Sequence, residues 1–310
     1  MSARERGLDV AVLTCAELLA PKPGDAYVSN VHLEDGMVVE ALRARGLSAE
    51  RVDWASAGFD WSAARVGLFR TTWDYHLRFG DFSAWLDRVA GRTALCNPAR
   101  TLRWNLDKHY LLDLDRAGVC VAPTRVFERG AKADLAALMK SEGWDEAVFK
   151  PVVSGAARET YRVRREDASL LQPTLERCLA AEAMLVQRFV EGVVEAGEVS
   201  VVVLGGTPTH AVRKVPKSGD FRVQDDHGGT VHAHAAATDE LRFAAQAVAR
   251  SGHELAYARV DMARDRAGRL HLMELELIEP ELFFRFCPSA AGKLADEVAK
   301  AVSARGARRG

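Results

Sequence analysis

Asp261, Glu274 and Glu276 fall within one short stretch, Arg259 to Glu281, which reads RVDMARDRAGRLHLMELELIEPE. Tyr257 to Met262 alternates like a strand, Ala267-Gly268 marks a turn, and Leu270 to Ile278 alternates again, so the spacing predicts a β-hairpin. In a strand of period two, Glu274 and Glu276 share a face, and pairing across the turn brings Asp261 to it. Carboxylates converging in this way repel one another unless something cationic sits between them. Hard oxygen ligands without His or Cys suit Mg²⁺ or Mn²⁺, and Mg²⁺ held by a few carboxylates normally also holds substrate phosphates. A solvated acidic edge is the alternative. The flanking Leu, Ile and Met, and Arg259 on the same face as Asp261, favour a covered sheet.

Other stretches add cations and an anion-friendly loop. Lys150-Pro151 precedes Val-Val-Ser154-Gly155-Ala156-Ala157-Arg158, whose small residues let backbone N–H groups approach an anion. This is neither a Walker A loop nor a Rossmann fingerprint, and an ordinary turn is the alternative. Arg70-Thr71-Thr72-Trp73-Asp74-Tyr75 follows a predicted strand and is a candidate substrate loop, because ligands on open sheets sit beyond the strand ends. A polar loop closed by aromatic packing is the competing reading. Lys217 to Gly229 is polar, glycine-rich and long enough to cover a site. His232-x-His234 has no third ligand nearby and is expected to be solvated.

The elements that must hold these groups follow from periodicity and breakers. Asp9 to Thr14, Ala49 to Trp54 and Val66 to Phe69 read as strands, a helix runs from an N-cap at Ser29-Asn30 to Gly46, and Asp81 to Val89 is a second helix. Together they predict a small open-sheet α/β lobe. Asn97-Pro98 breaks the chain; Thr101 to Leu114 then reads as one helix carrying Lys108, Pro123-Thr124 opens a strand, and Ala183 to Val190 is another. Val199 to Leu204 and Thr209 to Lys214 form a hairpin around Gly205-Gly206. Thr238 to Arg250 is an amphipathic helix with Leu241, Ala245 and Val248 on one side, and a final helix, Ala291 to Val302, precedes a basic tail, Arg305 to Arg309, expected to fray.

The 310 residues, 48% hydrophobic and 27% charged, fit a globular chain of about two or three lobes. The breaks divide it at 1–100, 101–190 and 191–310. A net charge of −1 gives no electrostatic reason to expect nucleic acid or an anionic membrane. The N-terminus is charged and leads straight into a strand, without a signal-peptide core or an apolar run of about 18 residues. Five cysteines (Cys15, Cys96, Cys120, Cys178, Cys287) are widely spaced, never in a C-x-x-C pair, and suggest reduced thiols in a cytoplasmic compartment.

Taken in order, Lys108, Lys150-Pro151 before a small-residue loop, the strand Val186-Gln187-Arg188-Phe189-Val190, and Asp261 with Glu-x-Glu on a hairpin resemble the ATP-grasp superfamily. The resemblance runs from Asn97 to Ser289 and is closest in plan to glutathione synthetase and the RimK-like ligases. The phrases RWNLDK, KPVVSGAARET, HAVRK, GDFRVQ, HGG and ELELIEPELF resemble the branch containing the D-cycloserine-forming cyclo-ligase. The fold implied is α/β: an N-terminal open parallel-sheet lobe followed by two α+β lobes enclosing ATP. The roles implied are as follows. Lys108 and Lys150 clamp the ATP phosphates, a task suited to mobile point charges, and Ser154, Gly155 and Ala156 fold over them. Gln187, Arg188, Phe189 and Val190 line the adenine, and Glu198, in preference to Glu191, takes the ribose. Asp261, Glu274 and Glu276 hold Mg²⁺ or Mn²⁺; Lys214, Arg222 and Arg259 stabilise the transferring phosphoryl group. Glu276 departs from the pattern, since many members carry Asn there.

The chemistry implied is coherent with these residue types. A carboxylate is a poor electrophile; phosphorylated by ATP it becomes an acyl phosphate, which an amine attacks. Phosphoryl transfer asks mainly for positioning and charge neutralisation. No dedicated nucleophile is needed, in line with the lack of a G-x-S-x-G elbow or a recognisable Cys/His pairing. The Lys217 to Gly229 loop would act as a lid that keeps water from the acyl phosphate. The expected activity is that of an ATP-dependent ligase forming an amide or peptide-like bond on a small amino-acid-type carboxylate. Ring closure of one substrate and a non-catalytic nucleotide-binding module are the alternatives. Expected partners are ATP, the acid and, in the two-substrate case, an amine, with room left for a homodimer. Arg70, Thr72, Trp73 and Asp74 are the substrate-side residues, in a lobe that matches no pattern naming the substrate.

Overall fold

The computed structural model describes residues 7–223 and 228–307. Its first part alternates strands and helices: β1 (Leu8–Thr14), α1 (Ala16–Leu19), α2 (Ala26–Arg43), β2 (Ala49–Asp53), β3 (Ala64–Thr71), α3 (Phe79–Ala90) and β4 (Ala94–Cys96). The strands form a parallel sheet in the order β2-β1-β3-β4. Val10 to Leu13 have no exposed surface, as a run covered on both faces of a parallel sheet should. Helix α2 starts before the predicted Ser29-Asn30 cap, because Asp25 takes that role and accepts from Val28 N at 3.0 Å.

A second sheet is antiparallel, β5-β8-β6-β7. It follows α4 (Ala99–Asn105) and α5 (Tyr110–Arg116), and comprises β5 (Thr124–Phe127), β6 (Glu146–Pro151), β7 (Tyr161–Arg164) and β8 (Met184–Arg188), covered by α6 (Leu135–Glu142) and α7 (Ala168–Ala181). The single helix expected over Thr101 to Leu114 is therefore two, and Lys108 lies on the turn between them. The third sheet, β11-β10-β9-β12-β13, is also antiparallel. Its chain order is α8 (Gly192–Glu195), β9 (Glu198–Leu204), β10 (Thr207–Val215), β11 (Thr230–His234), α9 (Thr238–Arg250), β12 (Tyr257–Arg264), β13 (Leu270–Glu276) and α10 (Ser289–Ala307). On α9 the buried face is Ala244, Ala247 and Val248, while Leu241 is 36% exposed: the alanines, not the leucine, allow the close approach to the sheet.

Packing ties the three sheets together. One apolar cluster joins Val10, Val38 and Leu68 to Val202, Tyr257 and Leu294, so α10 is wedged between the first and third sheets. Another joins Tyr110, Leu111 and Leu114 of α5 to Val201, Val260 and Leu275. The central sheet keeps its own core around Met139, Phe149, Leu175 and Val186. Each such residue contributes about 1.5–3 kcal/mol when fully buried. No helix among the described residues is long and apolar enough to cross a membrane, and all five cysteines are free thiols.

Candidate active site

Strands β12 and β13 pair with Asp261 opposite Glu274 and Arg259 opposite Glu276, so the hairpin does gather these side chains on one face. The outer edge of β13 would leave backbone groups unpaired. The segment α4–α5 satisfies them: Asn105 Nδ2 donates to Leu275 O at 2.7 Å, Leu277 N to Asn105 Oδ1 at 2.8 Å, and Leu275 N to Tyr110 Oη at 3.0 Å. Lys108 stands between those two anchors. Its N–H bonds Val152 O at 2.9 Å, and its Nζ lies 2.8 Å from Ser154 O and 3.1 Å from Glu274 Oε1. One buried lysine thus touches both the small-residue loop and the acidic hairpin.

The acids are balanced by cations of the same sheet. Asp261 Oδ1 accepts from Ser200 Oγ at 2.6 Å and Arg259 Nε at 2.9 Å; Oδ2 accepts from Arg259 Nη2 at 2.9 Å and Lys214 Nζ at 3.2 Å. Lys214 also reaches Glu198 Oε1 at 2.5 Å, and Arg259 pairs with Glu276. Burial works against ionisation of Asp261, yet Arg259 and Lys214 outweigh it and hold the carboxyl well below its ordinary range. Burial of Glu274 is likewise outweighed, by Lys108 and Lys150. For Glu276 burial prevails, aided by Asp261 and Glu274, and pushes it up to about 7 despite Arg259. Lys150 is lowered by burial, with Glu274 opposing, and has no ion pair among the described residues.

Among the described residues no group of three or more His, Cys, Asp or Glu is arranged to hold a metal ion. Asp261 in particular has both oxygens engaged. Glu274 and Glu276 each give one oxygen to Lys108 or Arg259, and the second oxygen of each has no hydrogen bond among the described residues. Those carboxylate oxygens have the chemistry that a hard divalent cation requires.

A cavity of about 300 Å³ collects most of the sequence-predicted residues: Lys108, Lys150, Ser154, Gly155, Ala156, Gln187, Arg188, Phe189, Glu198, Lys214, Arg222, Arg259, Asp261, Glu274 and Glu276 all line it. Val190 does not; it is fully buried beneath, beside Ala122 and Val193. Glu191 is absent from the wall as well. In the small-residue loop, Ala156 and Ala157 have φ of 49° and 53°. Left-handed conformations cost a residue with a β-carbon about 1–2 kcal/mol each, so the cavity is bordered by a strained turn of small residues. Phe221, Arg222 and Val223 bring the Lys217 to Gly229 loop to the cavity, and Arg222 is held by Asp220 at 2.7 Å. Residues 224–227 of that loop, like Arg308 and Arg309 of the tail, lie outside the described residues.

Of the four substrate-side residues, Trp73 lines the cavity, its Nε1 donating to Glu279 O at 2.9 Å. Arg70 is elsewhere: it is 1% exposed, with Nε 3.4 Å from Asp35 and Nη2 3.9 Å from Glu34, and its Nη1 donates to Pro280 O at 3.2 Å. Thr72 is fully buried, and Asp74 accepts from Trp54 Nε1 at 2.7 Å. The segment therefore turns Trp73 outward and the other three into the lobe. Pattern reading gave no role to Tyr27, His76, Glu279 and Glu281, which also line the cavity. Glu279 is pushed up to about 8 by burial and by Glu276; the Glu279-Pro-Glu281 alternation beyond β13 was its one visible signal. Cys120 Sγ lies 3.5 Å from His271 Nδ1, a contact between residues far apart in sequence, but burial raises that thiol's pKa and leaves it a poor nucleophile. His234 is not simply solvated, since it bonds Glu240 at 2.8 Å.

Residues 10–97 match the model of the D-cycloserine synthetase DcsG N-terminal domain, and residues 113–263 that of the prokaryotic glutathione synthetase ATP-grasp domain. The chain is 32% identical over 281 residues to the cycloserine biosynthesis protein DcsG of Streptomyces lavendulae, covering 85% of this chain and 92% of that relative. The chain belongs to the ATP-grasp ligases. A D-alanine–D-alanine ligase of Alkalilimnicola ehrlichii is 27% identical over 86% of each chain. The crystal structure of D-cycloserine synthetase DcsG has a TM-score of 0.83 at 29% identity and covers 94% of this chain and 99% of that one. As an ATP-grasp ligase, the chain is an ATP-dependent enzyme that forms carbon–nitrogen bonds of the amide type.

Proposed function

We propose that this ATP-grasp ligase activates a small amino-acid-type carboxylate as an acyl phosphate, which an amine nitrogen then attacks to give an amide, ADP and phosphate. One observation carries the reading: Lys108, Lys150, the Ser154 to Ala157 loop and the acids of β12–β13 share one cavity wall. Lys108 and Lys150 neutralise the phosphates, and the loop's backbone N–H groups close on them. Gln187, Arg188 and Phe189 take the base, with Glu198 at the ribose. Lys214, Arg222 and Arg259 meet the charge that develops on the transferring group. Glu274 and Glu276, with Asp261 behind them, would hold Mg²⁺ or Mn²⁺, which supplies further neutralisation of phosphate charge when bound. Residues 1–100 act as the substrate lobe; 101–190 and 191–310 are the two nucleotide lobes.

A second reading has a specific observation in its favour. The match over residues 10–97 is to the N-terminal domain of a D-cycloserine synthetase, the lobe assigned here to the substrate. On this reading the attacking nitrogen belongs to the activated molecule, and the product is a ring. Release of ADP and phosphate, measured with single amino acids and with pairs, separates the two. Turnover requiring a pair supports the two-substrate ligase; turnover on one compound, with loss of water from its mass, replaces it with ring closure. No nucleotide-dependent turnover of any acid contradicts both.

A further inference from the structure

His76 stands where two lobes meet. It follows Trp73 and Tyr75 in the loop after β3 and lines the cavity. A β-carbon built on Gly155 would come 2.9 Å from His76 Nδ1, so the imidazole lies against the backbone of the small-residue loop. Tyr75 meets the ring edge-on, 5.8 Å between centroids at 86°, and Tyr75 itself packs on Phe82 at 5.0 Å. The imidazole is therefore fixed from the N-terminal core. The groups acting on it are Arg158 from the small-residue loop, Lys108 from the α4–α5 turn, and Asp74 and the Trp73 carbonyl from its own loop. Burial, then the two cations, lower its pKa, and the neutral ring keeps one nitrogen lone pair.

On the acyl-phosphate reading, the phosphate lies against Ser154 to Ala157 and the acyl group extends toward Trp73 and Tyr75, which line the same cavity. His76 lines the cavity between those two ends, against Gly155 on one side and Tyr75 on the other. We propose that His76 accepts the proton released by the nitrogen that attacks the acyl phosphate. In this step the N–C bond forms and the C–O bond to phosphate breaks. Phosphate leaves with the electron pair, and the N–H proton passes to the free imidazole nitrogen. The role rests on the acyl-phosphate reading above. Glu279 is the competing acceptor, since it lines the same cavity.

Hydroxylamine separates the two half-reactions. It is an uncharged nucleophile at neutral pH and intercepts an acyl phosphate as a hydroxamate without a base from the protein. The acid used is the free amino acid, from a panel of the common L- and D-forms, that gives most hydroxamate with the wild-type enzyme and ATP. His76→Ala and His76→Gln are expected to keep the hydroxamate rate within about 3-fold while amide formation falls about 100-fold. The retained hydroxamate rate shows that both variants are folded and bind ATP. The loss in His76→Gln should exceed that in Glu279→Gln by at least about 10-fold. Unchanged amide formation, parallel loss of both products, or the reverse order of the two variants overturns the role of His76. Absence of hydroxamate from the wild-type enzyme overturns the acyl-phosphate reading beneath it.

Discussion

Lys108 Nζ lies 3.1 Å from Glu274 Oε1, joining a turn between two helices to the edge strand of another sheet. The pairing is a consequence of edge satisfaction: Asn105 and Tyr110, on either side of Lys108, complete the hydrogen bonds of β13 at Leu275 and Leu277. The contact is thus fixed by backbone bonds on both flanks. It does not depend on the attraction between the two charges, which desolvation largely offsets.

Glu274→Gln keeps an acceptor for Lys108 and removes the negative charge. Steady-state ADP release should fall at least about 100-fold, because charge placement is most of what phosphoryl transfer requires. Circular dichroism and the melting temperature should be nearly unchanged. Full activity in this variant would contradict the proposed cation role.

Arg70→Ala is a stability variant. Glu34 and Asp35 are 3% and 0% exposed; Arg285 at 2.7 Å and Arg51 at 2.9 Å still pair with them, but Glu34 Oε2 and Asp35 Oδ1 lose the charge of Arg70, and the side chain leaves a buried gap. The expected loss is about 1–3 kcal/mol in urea unfolding, with the Michaelis constant for the acid unchanged in the folded enzyme. A stable variant with weakened acid binding would return Arg70 to the substrate.

Glu279 gives the nucleotide-free enzyme a pH signature. Its carboxyl, at about 8 when folded against an ordinary 4.5, binds a proton more tightly in the folded state. Its contribution to stability is therefore lost as pH rises from the ordinary value through the folded one. Glu279→Gln should melt above the wild type at about pH 8, with the difference closing near pH 5. An equal difference at both pH values would contradict the assignment.

Gly192→Ala tests the start of α8. A β-carbon there would stand 1.9 Å from Arg264 O, a backbone atom that cannot swing aside. The expected cost is about 1–3 kcal/mol or more by chemical unfolding. A neutral substitution would mean that α8 and β12 separate easily.

The hairpin was legible because period-two alternation fixes which side chains share a face, and one face here carries Arg259, Asp261, Glu274 and Glu276. The helix break at Lys108 was not. The run Thr101 to Leu114 has helical residues throughout, and the interruption comes from tertiary bonds to Val152 and β13. The substrate-side loop was legible only in part for a related reason. Polar residues after a parallel strand suggest a ligand, but Arg70 faces Glu34 and Asp35 of α2, partners far away in sequence. His76 carried no local signal and Glu279 only its alternation with Glu281 beyond β13; their place follows from how three lobes pack.

The most direct test is a crystal structure with a non-hydrolysable ATP analogue and Mg²⁺. The terminal phosphates are expected between Lys108 and Lys150 on one side and Glu274 and Glu276 on the other, under the Ser154 to Ala157 loop. A triphosphate bound elsewhere, or one from which both lysines turn away, would contradict this placement.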